Sequence, residues 1–180
     1  MSRVLILFAH PALHKSRVNR HLIEAVRDLE GVTIQDLYEE YPDLHVDVAR
    51  EQELLRRHDC VVWHHPFYWY SCPAILKEWL DLVLEYGFAY GDKGTALRGK
   101  RAMTAITTGG PQDSYHTEGF NRYPIGHLLA PFEQTARLCG MEYLDPFVVH
   151  GTHHLSKSDV ADLAAEYRTR IAQLAGASLR

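Results

Sequence analysis

Three stretches hold residues whose types and spacing suit ligand chemistry. The first is Pro66-Phe67-Tyr68-Trp69-Tyr70, a run of rings directly after a proline. Rings so concentrated offer π-faces to a flat aromatic ligand, or else pack under the following helix as apolar bulk. The second is His10 to Asn19, HPALHKSRVN. It joins an apolar strand to a helix that Ser16 can cap. Such a helix start has unsatisfied N–H groups and a positive dipole end, so an anion is welcome there. Ser16 and Asn19 add short donors and Arg17 adds charge; the plainer alternative is a simple serine cap. The third is Thr107-Thr108-Gly109-Gly110, where two glycines permit either close backbone approach to a ligand or a sharp turn.

Other chemistries lack their patterns. Neither GxGxxG nor a Walker loop occurs, and there is no HExxH or Cys/His zinc spacing. No paired-carboxylate or Ser-His-Asp arrangement stands out. Cys60, Cys72 and Cys139 are odd in number and widely separated, which is no disulfide framework. Twelve histidines invite a metal reading at His64-His65 and His153-His154. Neighbours in a strand face opposite ways, so His64 and His65 are ill placed to share an ion, and no metal is expected. A net charge of −4 without a basic stripe gives no reason to expect nucleic acid. No apolar run reaches the roughly 18 to 20 residues needed to span a bilayer, and Met1-Ser2-Arg3 lacks signal-peptide features. The cytoplasm is the expected location.

The elements that must position the three stretches alternate along the chain. Val4–Ala9 and Cys60–Trp63 are unbroken apolar runs, as in strands buried on both faces. Pro66 is expected to stop ladder pairing after His64-His65. The helix from Ser16 should end at a left-handed Gly31. Val32–Leu37 reads as a strand, Tyr38–His45 as loop, and Asp47 as the cap of a helix running to about Arg57. Ser71 or Cys72, with Pro73, should open an amphipathic helix carrying Ile75, Leu76, Trp79, Leu80 and Val83. Tyr86–Gly99 is a glycine-rich connection. Arg101–Thr108 is a strand, followed by a long loop from Pro111 to Pro124. A helix over Ile125–Cys139 is kinked, or starts its regular part, at Pro131. Tyr143–Val149 is a last strand whose Pro146 argues for a sheet edge. Ser156 and Asp159 resemble a capping box for the final helix, and the tail from Gly176 should fray.

Strands and helices alternate without a composition break, which predicts one domain over residues 1–180. The fold class is α/β: a doubly wound five-stranded parallel sheet with helices on both faces. With strand order 2-1-3-4-5, the switch point lies between the first and third strands. Segments 10–19 and 66–70 would then flank one crevice, and the loop at 107–115 would border it. An anion site and an aromatic wall in one cleft match flavin mononucleotide (FMN). The aromatic wall and long loops suggest an enclosed substrate site rather than an electron carrier's exposed flavin edge.

HPALHKSRVN, HPFYWYSCPAILKEWLDLVL, GFAYGDKGTALRGK and ITTGG, in this order, resemble the flavodoxin-like NAD(P)H:quinone oxidoreductases. DLYEEYPD, the REQELLRRH run and NRYP are similar to the ancillary flavoproteins of the glutathione-gated potassium efflux systems. The resemblance implies a flavodoxin-like fold, bound FMN, NAD(P)H as co-substrate and a quinone acceptor. It implies a homodimer and ping-pong hydride transfer. It also implies an alternative, a regulatory FMN-binding subunit with little reductase activity. That subunit would dock on a membrane potassium efflux transporter at the inner face of the membrane. His10 would lie near the FMN phosphate and ribityl chain, and Ser16, Arg17, Val18 and Asn19 would form the phosphate loop. Pro66, Phe67, Tyr68, Trp69 and Tyr70 would line the isoalloxazine. Thr107, Thr108, Gly109 and Gly110 would meet its pyrimidine edge. Tyr115 would sit over the flavin and join Gly109 and Gly110 in stabilising developing charge. Two departures stand out. Those enzymes carry a histidine six residues beyond the tyrosine matched by Tyr115, where this chain has Asn121, with His116 beside Tyr115 instead. They also carry glutamine at Tyr68. The flavin site is therefore implied, but a histidine-assisted charge relay is not.

Overall fold

The computed structural model describes residues 2–176. Its strands are β1 (Val4–Phe8), β2 (Val32–Asp36), β3 (Cys60–Pro66), β4 (Arg101–Thr107), β5 (Glu142–Tyr143) and β6 (Phe147–Val149). All pairings are parallel, in the order β2-β1-β3-β4-β5, with β6 also on β4. The expected order 2-1-3-4-5 is therefore present. The fifth strand is broken in two: Pro146, in the gap, has no N–H to give to the ladder. Both pieces pair only with β4, so they form the edge that Pro146 implies.

The helices are α1 (Arg17–Val26), α2 (Leu37–Glu40), α3 (Val48–Arg57), α4 (Ala74–Val83), α5 (Ile125–Leu128), α6 (Ala130–Leu138) and α7 (Lys157–Ala175). Successive strand side chains point to opposite faces, and both faces are covered. Leu5, Leu7, Val61, Trp63 and Ile106 pack with Trp79 of α4 and Phe132 of α6. Val4, Ile6, Phe8, Val62 and Met103 pack with Leu22 and Val26 of α1 and Tyr167 and Ile171 of α7. Burial on both sides is why β1 and β3 are apolar at every position rather than at alternate ones.

Several local expectations hold. Ser16 caps α1 and Asp47 caps α3, while Ser156 and Asp159 form the capping box of α7. Pro131 splits the 125–138 segment, with α6 regular around it. Others need correction. α1 ends at Val26, and Gly31 (φ 78°) instead turns the chain into β2, its carbonyl accepting from the Val4 N–H. Within the expected loop after β2, Asp36 accepts from the N–H groups of Tyr38 and Glu39 and nucleates α2. Pro66 does not stop β3 early: His64, His65 and Pro66 all pair with β4, because the Pro66 nitrogen needs no partner where the strand ends. Neither Ser71 nor Cys72 caps α4; Pro73 holds the cap position without a side-chain bond. The expected fraying beyond Gly176 lies outside the described residues.

Candidate functional site

Parallel strands bring their carboxyl ends to one edge, and a cleft of about 560 Å³ opens there. Its first wall is the β1–α1 connection, with His10, Ser16, Arg17, Val18 and Asn19. Its second is Pro66, Phe67 and Tyr68 after β3, and its third is Thr107 and Gly109 after β4. Thus the three stretches singled out in the sequence meet. A larger depression of about 670 Å³ lies between α1 and α7, away from these groups and lined mainly by alanines and the stems of Arg20, His21 and Glu24.

At the anion end, Ser16 Oγ accepts from the Asn19 N–H at 3.2 Å and from Asn19 Nδ2 at 3.0 Å. The first-turn N–H groups of Arg17 and Val18 have no intrahelical acceptor. The Val18 side chain is buried in the core, so only its backbone faces this work. Asn19 is 3 % exposed, and its second amide proton goes to Thr107 Oγ1 at 3.0 Å. Its side chain therefore braces the loop from behind rather than donating to a ligand. The Arg17 guanidinium bonds to the carbonyls of Thr152 and Leu155, tying α1 to the loop after β6. His10 Nδ1 accepts from the Ala12 N–H at 3.1 Å. Burial holds the His10 pKa below its ordinary value, which favours the neutral ring.

At the aromatic end the chain takes a 3₁₀ turn over Tyr68–Tyr70. Trp69 (φ 50°) and Tyr70 (φ 60°) both adopt left-handed backbone. Such conformations cost about 1–3 kcal/mol each and gather at functional sites. Phe67 is half-buried and stands 6.3 Å from the Tyr70 ring and 6.4 Å from Tyr115. Trp69 is 93 % exposed and does not line the cleft. Tyr70 donates to Asn121 Oδ1 at 3.1 Å, joining the aromatic turn to the 111–124 loop.

Among the described residues, the N–H groups of Gly109 and Gly110 donate to no protein acceptor. A Cβ on Gly110 would meet Tyr115 Oη at 3.3 Å, and one on Gly109 would meet His153 Nε2 at 3.4 Å. Thr108 is turned inward, donating to the Gly110 carbonyl at 2.8 Å and accepting from His150 Nδ1 at 3.2 Å. Thr108, Trp69, Tyr70, Gly110 and Tyr115 thus sit behind or beside the cleft rather than along its wall. His116 is exposed and accepts from the Glu118 N–H. The Tyr115 ring instead lies 5.2 Å from His150.

Residues passed over in the sequence complete the enclosure. Lys15 lines the anion end, and Thr152, His153 and Leu155 form a fourth wall. Lys15 sits inside the helix-start segment. The others follow the last strand, where a parallel sheet puts its ligand loops. His64 and His65 face opposite sides, as neighbours in a strand must. His64 bonds to Asn19 and Tyr167, while the His65 ring lies 5.3 Å from Phe132.

Residues 2–174 match the family profile described as Flavodoxin-like fold. The glutathione-regulated potassium-efflux system ancillary protein KefG of Pectobacterium atrosepticum is 48 % identical over 165 residues, 92 % of this chain and 90 % of that protein. Among solved structures, general stress protein 14 of Treponema denticola, in complex with FMN, is 40 % identical with a TM-score of 0.92, covering 96 % of this chain and 99 % of that one. An NADPH-quinone reductase from P. pentosaceus is 31 % identical with a TM-score of 0.86, over 93 % and 96 %. A chain described as a thermophilic tryptophan halogenase from Streptomycin violaceusniger is 46 % identical with a TM-score of 0.91, over 93 % and 97 %. With its sheet order and near-complete coverage, this chain belongs to the flavodoxin-like family, among relatives that include the KefG ancillary proteins and NAD(P)H quinone reductases.

Proposed function

We propose that the protein is an FMN-dependent NAD(P)H:quinone oxidoreductase, working by two-electron ping-pong transfer within one domain. The observation that carries this reading is the cleft itself, with anion-seeking donors at one end and an aromatic turn at the other. The residues present fit the cofactor. Ser16, Lys15 and the first-turn N–H groups of Arg17 and Val18 would hold a phosphate. His10 would border the linking chain, and Pro66, Phe67 and Tyr68 would flank the ring system. When bound, FMN supplies the centre that accepts and returns a hydride, with negative charge developing on its pyrimidine side. The free N–H of Gly109, at the cleft wall, is the donor assigned to that charge, with the Gly110 N–H and the Tyr115 hydroxyl beside it. Fixed donors in an enclosed cleft stabilise it without reorganising. No side chain of this chain is required as general acid or base.

A second reading is favoured by one finding, the printed name of the KefG relative. On that reading the protein binds FMN as structure and acts as an ancillary subunit of a potassium efflux transporter, docked at the inner face of the membrane. No helix among the described residues is long and apolar enough to cross a membrane, so such a location would come through the partner. Both readings include a homodimer.

The deciding experiment is direct. The purified protein is inspected for yellow colour, and NADPH consumption is followed with and without a benzoquinone. Bound flavin with quinone-dependent consumption is expected. Bound flavin without turnover would move the conclusion to the ancillary subunit, and no affinity for flavin would overturn both readings.

A further inference from the structure

A buried polar chain runs from α7 to the anion end of the cleft. Tyr167 and His64 are fully buried and Asn19 is 3 % exposed. His64 Nδ1 lies 3.0 Å from Tyr167 Oη, and His64 Nε2 lies 3.1 Å from Asn19 Oδ1. Asn19 Nδ2 then reaches Ser16 Oγ and Thr107 Oγ1, each at 3.0 Å. An amide oxygen only accepts, so His64 Nε2 carries the proton, and the other nitrogen of the neutral ring accepts from Tyr167. Burial pushes the His64 pKa down to about 3, which keeps the ring neutral.

The donor order has a consequence at Ser16. Its oxygen accepts from both the backbone N–H and the side-chain amide of Asn19. With both lone pairs engaged, the Ser16 hydroxyl proton has to turn outward, toward the cleft. We infer that His64 is a positioning residue: by fixing the orientation of Asn19, it makes Ser16 a committed donor to a phosphate at the start of α1. His64 itself touches no ligand. The inference rests on the FMN reading but adds a residue on the far side of β3 that the cleft does not expose.

Two ligands separate the effects. FMN and riboflavin share the ring system and differ by the phosphate, so the ratio of their affinities isolates the anion end. The wild-type protein should bind FMN much more tightly than riboflavin. His64→Leu should lower FMN affinity about tenfold or more, the worth of one hydrogen bond to a charged group, and leave riboflavin affinity unchanged. His64→Gln, whose amide can still donate to Asn19, should restore most of the ratio. A His64→Leu protein that keeps the wild-type ratio overturns the inference, as does equal weakening of both ligands. Wild-type protein that binds neither ligand fails the FMN reading instead. If His64→Leu does not fold, the wild-type protein carries a second readout. Nitrogen-15 spectra should show His64 neutral with its proton on Nε2. The Nδ1–H tautomer would reverse the chain, point the Ser16 proton at Asn19, and refute it.

Discussion

Replacing Glu51 by glutamine exchanges one oxygen for an NH₂ group, at a position that is completely buried. Its Oε1 accepts from Gln35 Nε2 and from Tyr41 Oη, both at 2.6 Å, and its Oε2 accepts from Trp79 Nε1 at 2.8 Å. These partners come from β2, the end of α2 and α4, so one carboxylate ties three elements to α3. It also gives the DLYEEYPD and REQELLRRH motifs a shared physical purpose. Three donors around two acceptor-only oxygens suit a carboxylate. Glutamine can keep its oxygen toward Gln35 and Tyr41, but its NH₂ then confronts the Trp79 N–H. Losing that charge-assisted bond and leaving a buried donor unpaired costs about 3 kcal/mol, and weakening the other two bonds adds about 2. Sparing a buried charge its desolvation returns roughly 2 kcal/mol. The net is a loss of about 3 kcal/mol, a large part of a typical domain's stability. Urea unfolding of Glu51→Gln measures it. Trp79→Phe in the same background removes the offended N–H, so it should cost about 2 kcal/mol less there than in the wild type. A loss below about 1 kcal/mol, or strictly additive effects of the two substitutions, would show that the network does not work as described.

Two further outcomes follow from the same reasoning. Ser16→Asp sets a carboxylate at the start of α1; it should still cap the helix, but FMN affinity should fall at least tenfold while riboflavin affinity holds, and unchanged FMN binding would remove the phosphate from this end of the cleft. Acid should destabilise the fold from just below neutrality. Burial lowers the pKa of His64 to about 3 and that of His65 to about 4, so the folded state binds fewer protons than the unfolded chain, whose histidines titrate near 6.5. That contribution is present above pH ~6.5 and is lost progressively as pH falls toward the folded values. The two histidines together should cost on the order of 4 kcal/mol between neutrality and pH 5. Thermal melting across that range checks it: His64→Gln should flatten the profile, and a flat wild-type profile contradicts the burial argument.

The sequence by itself determined the frame of this protein. Val4–Phe8 and Cys60–Trp63 are apolar at every position because helices cover both faces, and that pattern needs no coordinates to read. Ser16, Asp47 and the Ser156–Asp159 pair announce helix starts because a cap is a local bond between near neighbours. The tertiary structure decided whatever depends on partners distant along the chain. β3 continues through His64 and His65 in register with β4, and both ring nitrogens of His64 find partners, Tyr167 lying 103 residues away. Asn19 reads as a ligand donor until Ser16, Thr107 and His64 are seen to use all of its side chain. Thr108 likewise turns inward to Gly110 and His150, and Arg17 is taken up by Thr152 and Leu155. Thr152 and His153 enter the cleft only because the last strand lies beside β4. Hydrophobic periodicity and capping are written in short-range spacing, whereas the direction of a polar side chain is set by whichever donor or acceptor the fold brings to it.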